Sequence, residues 1–193
     1  MDRRSFLTAS ATSVLVFTWP IAFASSAHIW PGKTPPFLHS TTTIDPGLSR
    51  RQWKAIVATQ EHIFPSDMSA APPSPGARDV NAKAFLYAVL SDAHRDKEDR
   101  ERVKSGVIAL QKLCVDKYKK SFDQLDATQK ETMLRTFENM PGGTSWIMTI
   151  LGYVFEALLT DPVYGGNPNG IGWQWLEHQP GFPRPSTKDR YFL

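Results

Sequence analysis

Apolar residues recur at helical spacing through most of the chain and predict five helices. The predicted buried stripes of the first four are Trp53, Ile56, Val57 and Phe64; Phe85, Leu86, Val89 and Leu90; Val103, Val107, Leu110 and Cys114; and Met133, Leu134 and Phe137. No run shows the strict alternation that is typical of a β-strand. The pattern therefore predicts an all-α fold, a single compact bundle of about five helices.

Local polar signals predict where these helices begin. Ser49 with Gln52, and Asp126 with Gln129, form capping-box patterns, in which each side chain bonds to a backbone N–H group of the first helical turn. The caps predicted for the second and the fifth helix are Asp79 and Ser145.

The fifth predicted helix, from Trp146 to about Leu159, is apolar on most sides. Its large apolar residues are Trp146, Ile147, Ile150, Leu151, Tyr153, Val154, Phe155, Leu158 and Leu159. A helix that is apolar all round either lies at the centre of a core or is covered by another protein. Trp146 is therefore a candidate partner-interface residue.

The segment after this helix is the most unusual part of the sequence. Residues 161–193 combine glycine and proline with the aromatic residues Tyr164, Trp173, Trp175 and Phe182. The glycines and prolines predict neither a regular helix nor a central strand, and Asp161 reads as a turn residue before a proline. Such a loop either folds back as a lid over its own core or docks on a partner subunit through its aromatic side chains.

The N-terminus predicts a targeting segment. Arg3, Arg4, Phe6 and Leu7 form a twin-arginine pattern, a moderately apolar run follows, and Ala24 ends a small-x-small cleavage motif. We expect a twin-arginine signal peptide at 1–24, an extended proline-rich arm at 25–47 and a helical domain at 48–193. Export by this route predicts a folded protein at the periplasmic face of the cytoplasmic membrane. An uncleaved anchor or a general secretory signal is the alternative.

Charge and cysteine content exclude several classes of protein. The formal net charge is +3, and basic and acidic residues alternate along the third helix, which does not favour nucleic-acid binding. The single cysteine, Cys114, excludes an internal disulfide and an all-cysteine metal site. Cys114 is either buried in its helix or available for an inter-subunit disulfide.

A search for catalytic motifs finds none. The five histidines are scattered without a His-Glu-x-x-His pattern, and no Gly-x-Ser-x-Gly motif occurs. The glycine-rich residues 165–172 follow a helix rather than a strand, so they do not fit a nucleotide-binding loop. The sequence therefore predicts no catalytic, cofactor-binding or metal-binding residue. Glu156, Asp161 and Glu177 are the carboxylates on which a hydrolase alternative would depend.

Several motifs together resemble the gluconate 2-dehydrogenase subunit 3 family. The most specific is Asp161-Pro-Val-Tyr-Gly-Gly-Asn, with Gly172-Trp173 and Pro180-Gly181 behind it. The twin-arginine start, Ile63-Phe64-Pro65 at the end of the first helix, and Phe122 with Leu125 ahead of the Gln129 helix also agree. The resemblance covers roughly residues 49–185.

This resemblance implies a non-catalytic small subunit in a heterotrimer. A large subunit bearing FAD would oxidise the sugar or sugar acid, and a multihaem cytochrome c subunit would pass the electrons to quinone. The haem c belongs to the cytochrome, and an iron–sulfur cluster is compatible with the large subunit. The small subunit would carry the export signal, stabilise the large subunit and reach the membrane through the complex. The substrate stays open among gluconate, 2-ketogluconate, a polyol and an aldose.

Two other classes of function remain at this point. One is a free-standing exported helical enzyme, for which the carboxylates above would supply the chemistry. The other is a stand-alone binding or scaffold protein. Co-purification with a flavoprotein distinguishes the subunit from both.

Overall fold

The computed structural model describes residues 44–188, and these form six α-helices. The helices are α1 (Arg50–Ile63), α2 (Ala82–Ser91), α3 (Lys97–Tyr118), α4 (Ala127–Glu138), α5 (Gly143–Leu159) and α6 (Ile171–Leu176). Short 3-10 turns occur at Phe122–Gln124, Pro162–Tyr164 and Pro168–Gly170. The described residues contain no β-strand, so the predicted all-α fold is confirmed. The predictions on the signal residues Arg3, Arg4, Phe6, Leu7 and Ala24, and on most of the arm, lie outside the described residues.

Helix α5 lies at the centre of the fold. It contacts α1, α2, α3 and α4 in the bundle, and α6 packs against its C-terminal part. Its inward side includes Trp146, Ile150, Val154 and Leu158, each with 2% or less of its surface exposed. Burying side chains of this size contributes about 1.5–3 kcal/mol each before the entropy of ordering them is subtracted. The hydrophobic pattern of α5 therefore reflects, first of all, its central position.

Both predicted capping boxes are confirmed. The Ser49 backbone N–H donates to Gln52 Oε1 at 2.7 Å, and the Gln52 N–H donates back to Ser49 Oγ at 3.3 Å. Asp126 and Gln129 form the same reciprocal pair at the start of α4. Each box satisfies two backbone donors that a helix start leaves without intrahelical partners.

The caps predicted for α2 and α5 are wrong. Helix α2 begins after Asn81, which has a φ of 57°, and the Asp79 carboxylate instead accepts a hydrogen bond from the Gly76 N–H at 2.8 Å. Helix α5 begins after Gly142, which has a φ of 78°, so Ser145 lies inside the first turn. Glycine adopts this left-handed conformation without steric cost, which lets α5 begin three residues earlier than its sequence signal indicated.

The C-terminal segment is more regular than its composition indicated. The prediction that it contains no regular helix is wrong for α6 (Ile171–Leu176). Asn167, Asn169 and Gly170 all have positive φ, so they make the turns that a helix would not allow. The residues from Ile171 to Leu176 contain no proline, and they form nearly two turns of helix once the turn before them is complete.

Candidate partner-docking site

Trp146, a predicted partner anchor, lies inside the bundle. Its indole N–H donates to the Val103 carbonyl at 3.0 Å, and its ring meets Phe137 edge to face at 5.6 Å between centroids. Its other neighbour is Gly106 on α3, where even a single Cβ atom would overlap the indole. Trp146 is 2% exposed, so its ring is not presented to a partner. The structure thus places this predicted anchor in the chain's own core, in the space that Gly106 leaves on α3.

Asn167 organises the C-terminal segment. Its side-chain Oδ1 accepts from the Gly172 N–H at 2.7 Å, and its Nδ2 donates to the Thr160 carbonyl at 3.0 Å. Its own backbone N–H donates to the Val80 carbonyl at 3.0 Å. Asn167 is fully buried, and it joins the end of α5, the start of α6 and the loop before α2. The sequence signalled only a turn at this residue, because asparagine tolerates positive φ.

The two tryptophans of α6 also face inward. Trp173 is 8% exposed and Trp175 is 6% exposed. The Trp173 indole N–H donates to the Leu159 carbonyl at 2.7 Å and so caps the end of α5. Close packing of α6 against α5 requires Gly172, since a Cβ there would overlap the backbone carbonyl of Leu158. The structure therefore matches the lid interpretation. Trp175 joins the hydrophobic core, and Trp173 is buried between the end of α5 and the tail.

A polar clasp holds the tail over this lid. Arg184 donates from Nε to Asp161 Oδ2 at 2.9 Å and from Nη2 to Oδ1 at 3.2 Å. The guanidinium carbon also lies 5.1 Å from the centroid of the Trp173 ring. Asp161 accepts from the Val163 N–H as well, which confirms its predicted role in a turn. The Arg184 hydrogen bond is the main cause that lowers the pKa of Asp161, and the partial burial of that carboxyl opposes it.

Phe182 and Tyr164 are the predicted anchors that keep exposed surface. Phe182 is 96% exposed and lies two residues before Arg184 of the clasp. Tyr164 is half-buried and packs against the edge of the core. A docking role for these two residues stays a prediction.

An exposed apolar stripe runs along the side of α5 that faces away from the core. We define the outer face of α5 as Met148, Gly152, Phe155 and Leu159, which follow each other at helical spacing. Met148 is 58% exposed and Leu159 is 49% exposed, while Gly152 and Phe155 are half-buried. A Cβ at Gly152 would meet no atom within 4 Å, so open space lies in front of the helix there. The stripe was not predicted, because the sequence showed an apolar helix without showing which side the core leaves open.

Charged side chains lie beside this stripe at its C-terminal half. Arg95 donates to the Tyr153 hydroxyl at 2.8 Å and forms an ion pair with Asp99 at 2.9 Å. Glu156 is close enough for Arg95 to lower its pKa, yet desolvation is the larger cause and the net shift is upward. Among residues 44–188, no cation lies within 4 Å of the Glu156 carboxylate. Glu156 is therefore an exposed carboxylate at the edge of the stripe, without an ion pair in the described structure.

The Cys114 thiol lies in the core of the bundle. It has no exposed surface, and burial raises the pKa of the thiol to about 11. A disulfide to another subunit would require α3 to leave the core, because a thiolate at the surface is what disulfide chemistry needs. The buried alternative drawn from the sequence matches the structure, and the inter-subunit disulfide does not.

Several side chains that are capable of acid–base chemistry make structural contacts instead. His62 lies 2.9 Å from Glu131, and the ring of His178 meets Trp173. Asp161 is paired with Arg184 in the tail clasp and not with a second carboxylate. Within residues 44–188, no group of three or more histidine, cysteine, aspartate or glutamate side chains is arranged to hold a metal ion.

Helix length bears on membrane contact. Between residues 44 and 188, no single helix is both long and apolar enough to cross a bilayer. Helices α4 and α5 satisfy the criteria only as a pair, and that pair is bent by 120°.

The described residues thus define an all-α protein with a tightly packed bundle, a folded-back C-terminal lid and an apolar outer face. A comparison with family models identifies the protein family. The chain belongs to the gluconate 2-dehydrogenase subunit 3 family, whose model matches residues 50–181. That description is of a subunit of a multi-subunit dehydrogenase. Comparisons with curated proteins and with solved structures gave no match.

Proposed function

We propose that this chain is the non-catalytic small subunit of a flavin-dependent dehydrogenase of the gluconate 2-dehydrogenase type. In this proposal it carries the export signal and stabilises the large subunit that holds FAD. The large subunit oxidises a sugar or sugar acid, and a cytochrome c subunit passes the electrons to quinone at the periplasmic face of the membrane. The observation that carries the proposal is the family match over residues 50–181.

The structure supports a stabilising role over a catalytic one. Asn167, Asp161 and Arg184 are engaged in holding the lid, and the Cys114 thiol is enclosed. The exposed apolar residues Met148, Leu159 and Phe182 are instead available for contact with another protein. Surfaces of this kind on a helical protein are typical of subunit interfaces.

Affinity purification of the tagged chain from its native membranes tests this proposal. We expect a large flavoprotein and a haem protein to co-purify, visible as flavin and haem absorbance and identified by mass spectrometry. Sugar-acid oxidation by the purified complex, with an artificial acceptor, would then name the substrate. A colourless monomer obtained from the same membranes would contradict the proposal and favour an independent exported enzyme or a binding protein.

A further inference from the structure

The outer face of α5 has the features of a protein interface before any partner is considered. Met148 and Leu159 are two of the large apolar side chains that the described structure leaves exposed, and they lie on one side of one helix. Phe155 lies between them and packs edge to face against Phe64 at 5.8 Å between ring centroids. The stripe is therefore continuous over about three turns, since its ends are eleven residues apart.

Gly152 gives this face a distinctive shape. Glycine in the middle of a helix is unfavourable by about 1 kcal/mol relative to alanine, so its presence calls for a reason. At Gly106, Gly143 and Gly172 the reason lies within the chain, because a Cβ would overlap neighbouring atoms. At Gly152 nothing within 4 Å of the Cβ position supplies such a reason. The open space in front of Gly152 leaves room for a backbone or side chain from outside to approach the helix closely.

Glu156 adds charge to the same surface. It lies next to Phe155 and three residues before Leu159, at the edge of the stripe. The nearby Arg95 forms its ion pair with Asp99 at 2.9 Å, which leaves the Glu156 carboxylate without a cation within 4 Å among the described residues. A partner that covers the stripe would desolvate this exposed carboxylate, and a positive charge on the partner would offset that cost.

We propose that the outer face of α5 binds the FAD-bearing large subunit of the dehydrogenase, which packs against Gly152 and places a lysine or arginine opposite Glu156. This inference rests on the proposed function, and it adds the surface and the chemistry of the contact. An apolar centre with a charged rim is the usual arrangement of such an interface.

The residues of α5 favour a protein subunit over two other occupants. The helix contains no lysine or arginine, and its one charged residue is acidic. Helices that lie on anionic membranes carry basic residues on their polar side, so a lipid surface does not fit. A second copy that offered the same face in a symmetric contact would bring no cation from α5 to Glu156.

Two variants test the surface without disturbing the core. Gly152→Trp fills the open space in front of the helix. Because the substitution also replaces a glycine in the middle of the helix, we expect the isolated chain to fold normally. Glu156→Lys reverses the charge at the rim and leaves the apolar packing untouched. Ile108→Glu is the matched control, since Ile108 on α3 is also apolar and is 47% exposed.

Each tagged variant would be produced in the native host beside its partner subunits and purified from membranes. The measured quantity is flavoprotein recovered per tagged chain, and circular dichroism with thermal unfolding verifies each fold. We expect at least a tenfold loss of flavoprotein for Gly152→Trp, a several-fold loss for Glu156→Lys and wild-type recovery for Ile108→Glu.

The outcomes separate this inference from the proposed function. Wild-type recovery with both Gly152→Trp and Glu156→Lys overturns the docking surface and leaves the proposed function intact. Failure of the wild-type chain itself to recover a flavoprotein overturns the proposed function. The wild-type chain is also tested for self-association and for binding to vesicles that contain phosphatidylglycerol. If either interaction occurs and Gly152→Trp abolishes that interaction, the assigned occupant is overturned.

Discussion

Trp146 and Trp173 both turn inward, but the regions around them are held in different ways. Trp146 fills a space on α3 that exists because Gly106 has no side chain. Trp173 lies in a segment held by the bonds of Asn167 and by the clasp between Asp161 and Arg184. The contact at Trp146 thus depends on complementary volume, and the lid adds a few polar contacts to a small packed area between α6 and α5. Regions held by few contacts open at lower free energy than a packed core, so the lid is expected to open first.

The largest effect is expected from Gly106→Ala. The added methyl group overlaps the Trp146 indole, which the Val103 carbonyl and Phe137 hold in place. Overpacking of this kind costs about 1–3 kcal/mol, and each kcal/mol lowers Tm by roughly 2–4 °C in a domain of 150–250 residues. Thermal unfolding measures the change.

Gly152→Ala is the matched control for this prediction. It makes the same substitution in the middle of a helix, at a position where the methyl group meets nothing within 4 Å. We expect an increase in stability of up to about 1 kcal/mol, the helix-propensity gain of alanine over glycine. Labelling of the Cys114 thiol, which has no exposed surface, should also accelerate in Gly106→Ala alone. Equal Tm values for the two variants would contradict the volume argument.

A smaller and more local effect is expected from Asn167→Ala. The substitution leaves the Gly172 N–H and the Thr160 carbonyl without their partner. Both groups reach water once the lid opens, so we expect the free energy of global unfolding to change by no more than about 1 kcal/mol. The lid should therefore loosen while the bundle stays folded. Hydrogen exchange at residues 167–176 should accelerate at least tenfold, with exchange in α3 unchanged.

Asn169→Ala separates the side-chain bonds from backbone strain. Asn167 and Asn169 have φ values of 47° and 56°, so alanine is strained at both. Faster exchange of the lid in both variants to the same extent would mean that conformation, rather than the bonds of Asn167, holds the segment.

The smallest expected effect concerns pH. The hydrogen bond from Arg184 lowers the pKa of Asp161 below its ordinary value. The clasp therefore stabilises the lid above the ordinary aspartate pKa, and this contribution is lost as the pH falls through the lowered pKa. The Arg184 side chain is about half exposed, so screening by solvent keeps this contribution small.

The indole N–H resonance of Trp173 reports on this titration, because the Arg184 guanidinium lies over its ring. Arg184→Gln should move the transition to higher pH, toward the ordinary aspartate range. A transition of the same midpoint in Arg184→Gln would assign it to another carboxyl group.

The same two regions show what the sequence could reveal. The stripes of α1–α4 and the capping boxes at Ser49 and Asp126 were predictable, because they depend on residues three or four positions apart. The direction of Trp146 was not, since it depends on Gly106, forty residues away in sequence and on another helix. The start of α5 at Gly142 and the bonds of Asn167 depend on tertiary contacts in the same way.

The interface prediction shows the same limit. The aromatic content of residues 161–193 indicated a surface that needs covering, and the chain covers most of it with its own α6. The face that stays open lies on α5, where Leu159 was only one of many apolar residues and Met148 was not singled out. A helical pattern states how much apolar surface a helix has, and only the fold decides which part other helices cover.

The enclosed position of Cys114 has a consequence for where this protein can mature. Its one thiol lies in the interior, so folding includes no disulfide formation and no disulfide exchange. The same native state is therefore accessible in a reducing and in an oxidising compartment. Under the proposed function, a subunit with that property can associate with the large subunit before export and needs no new disulfide afterwards.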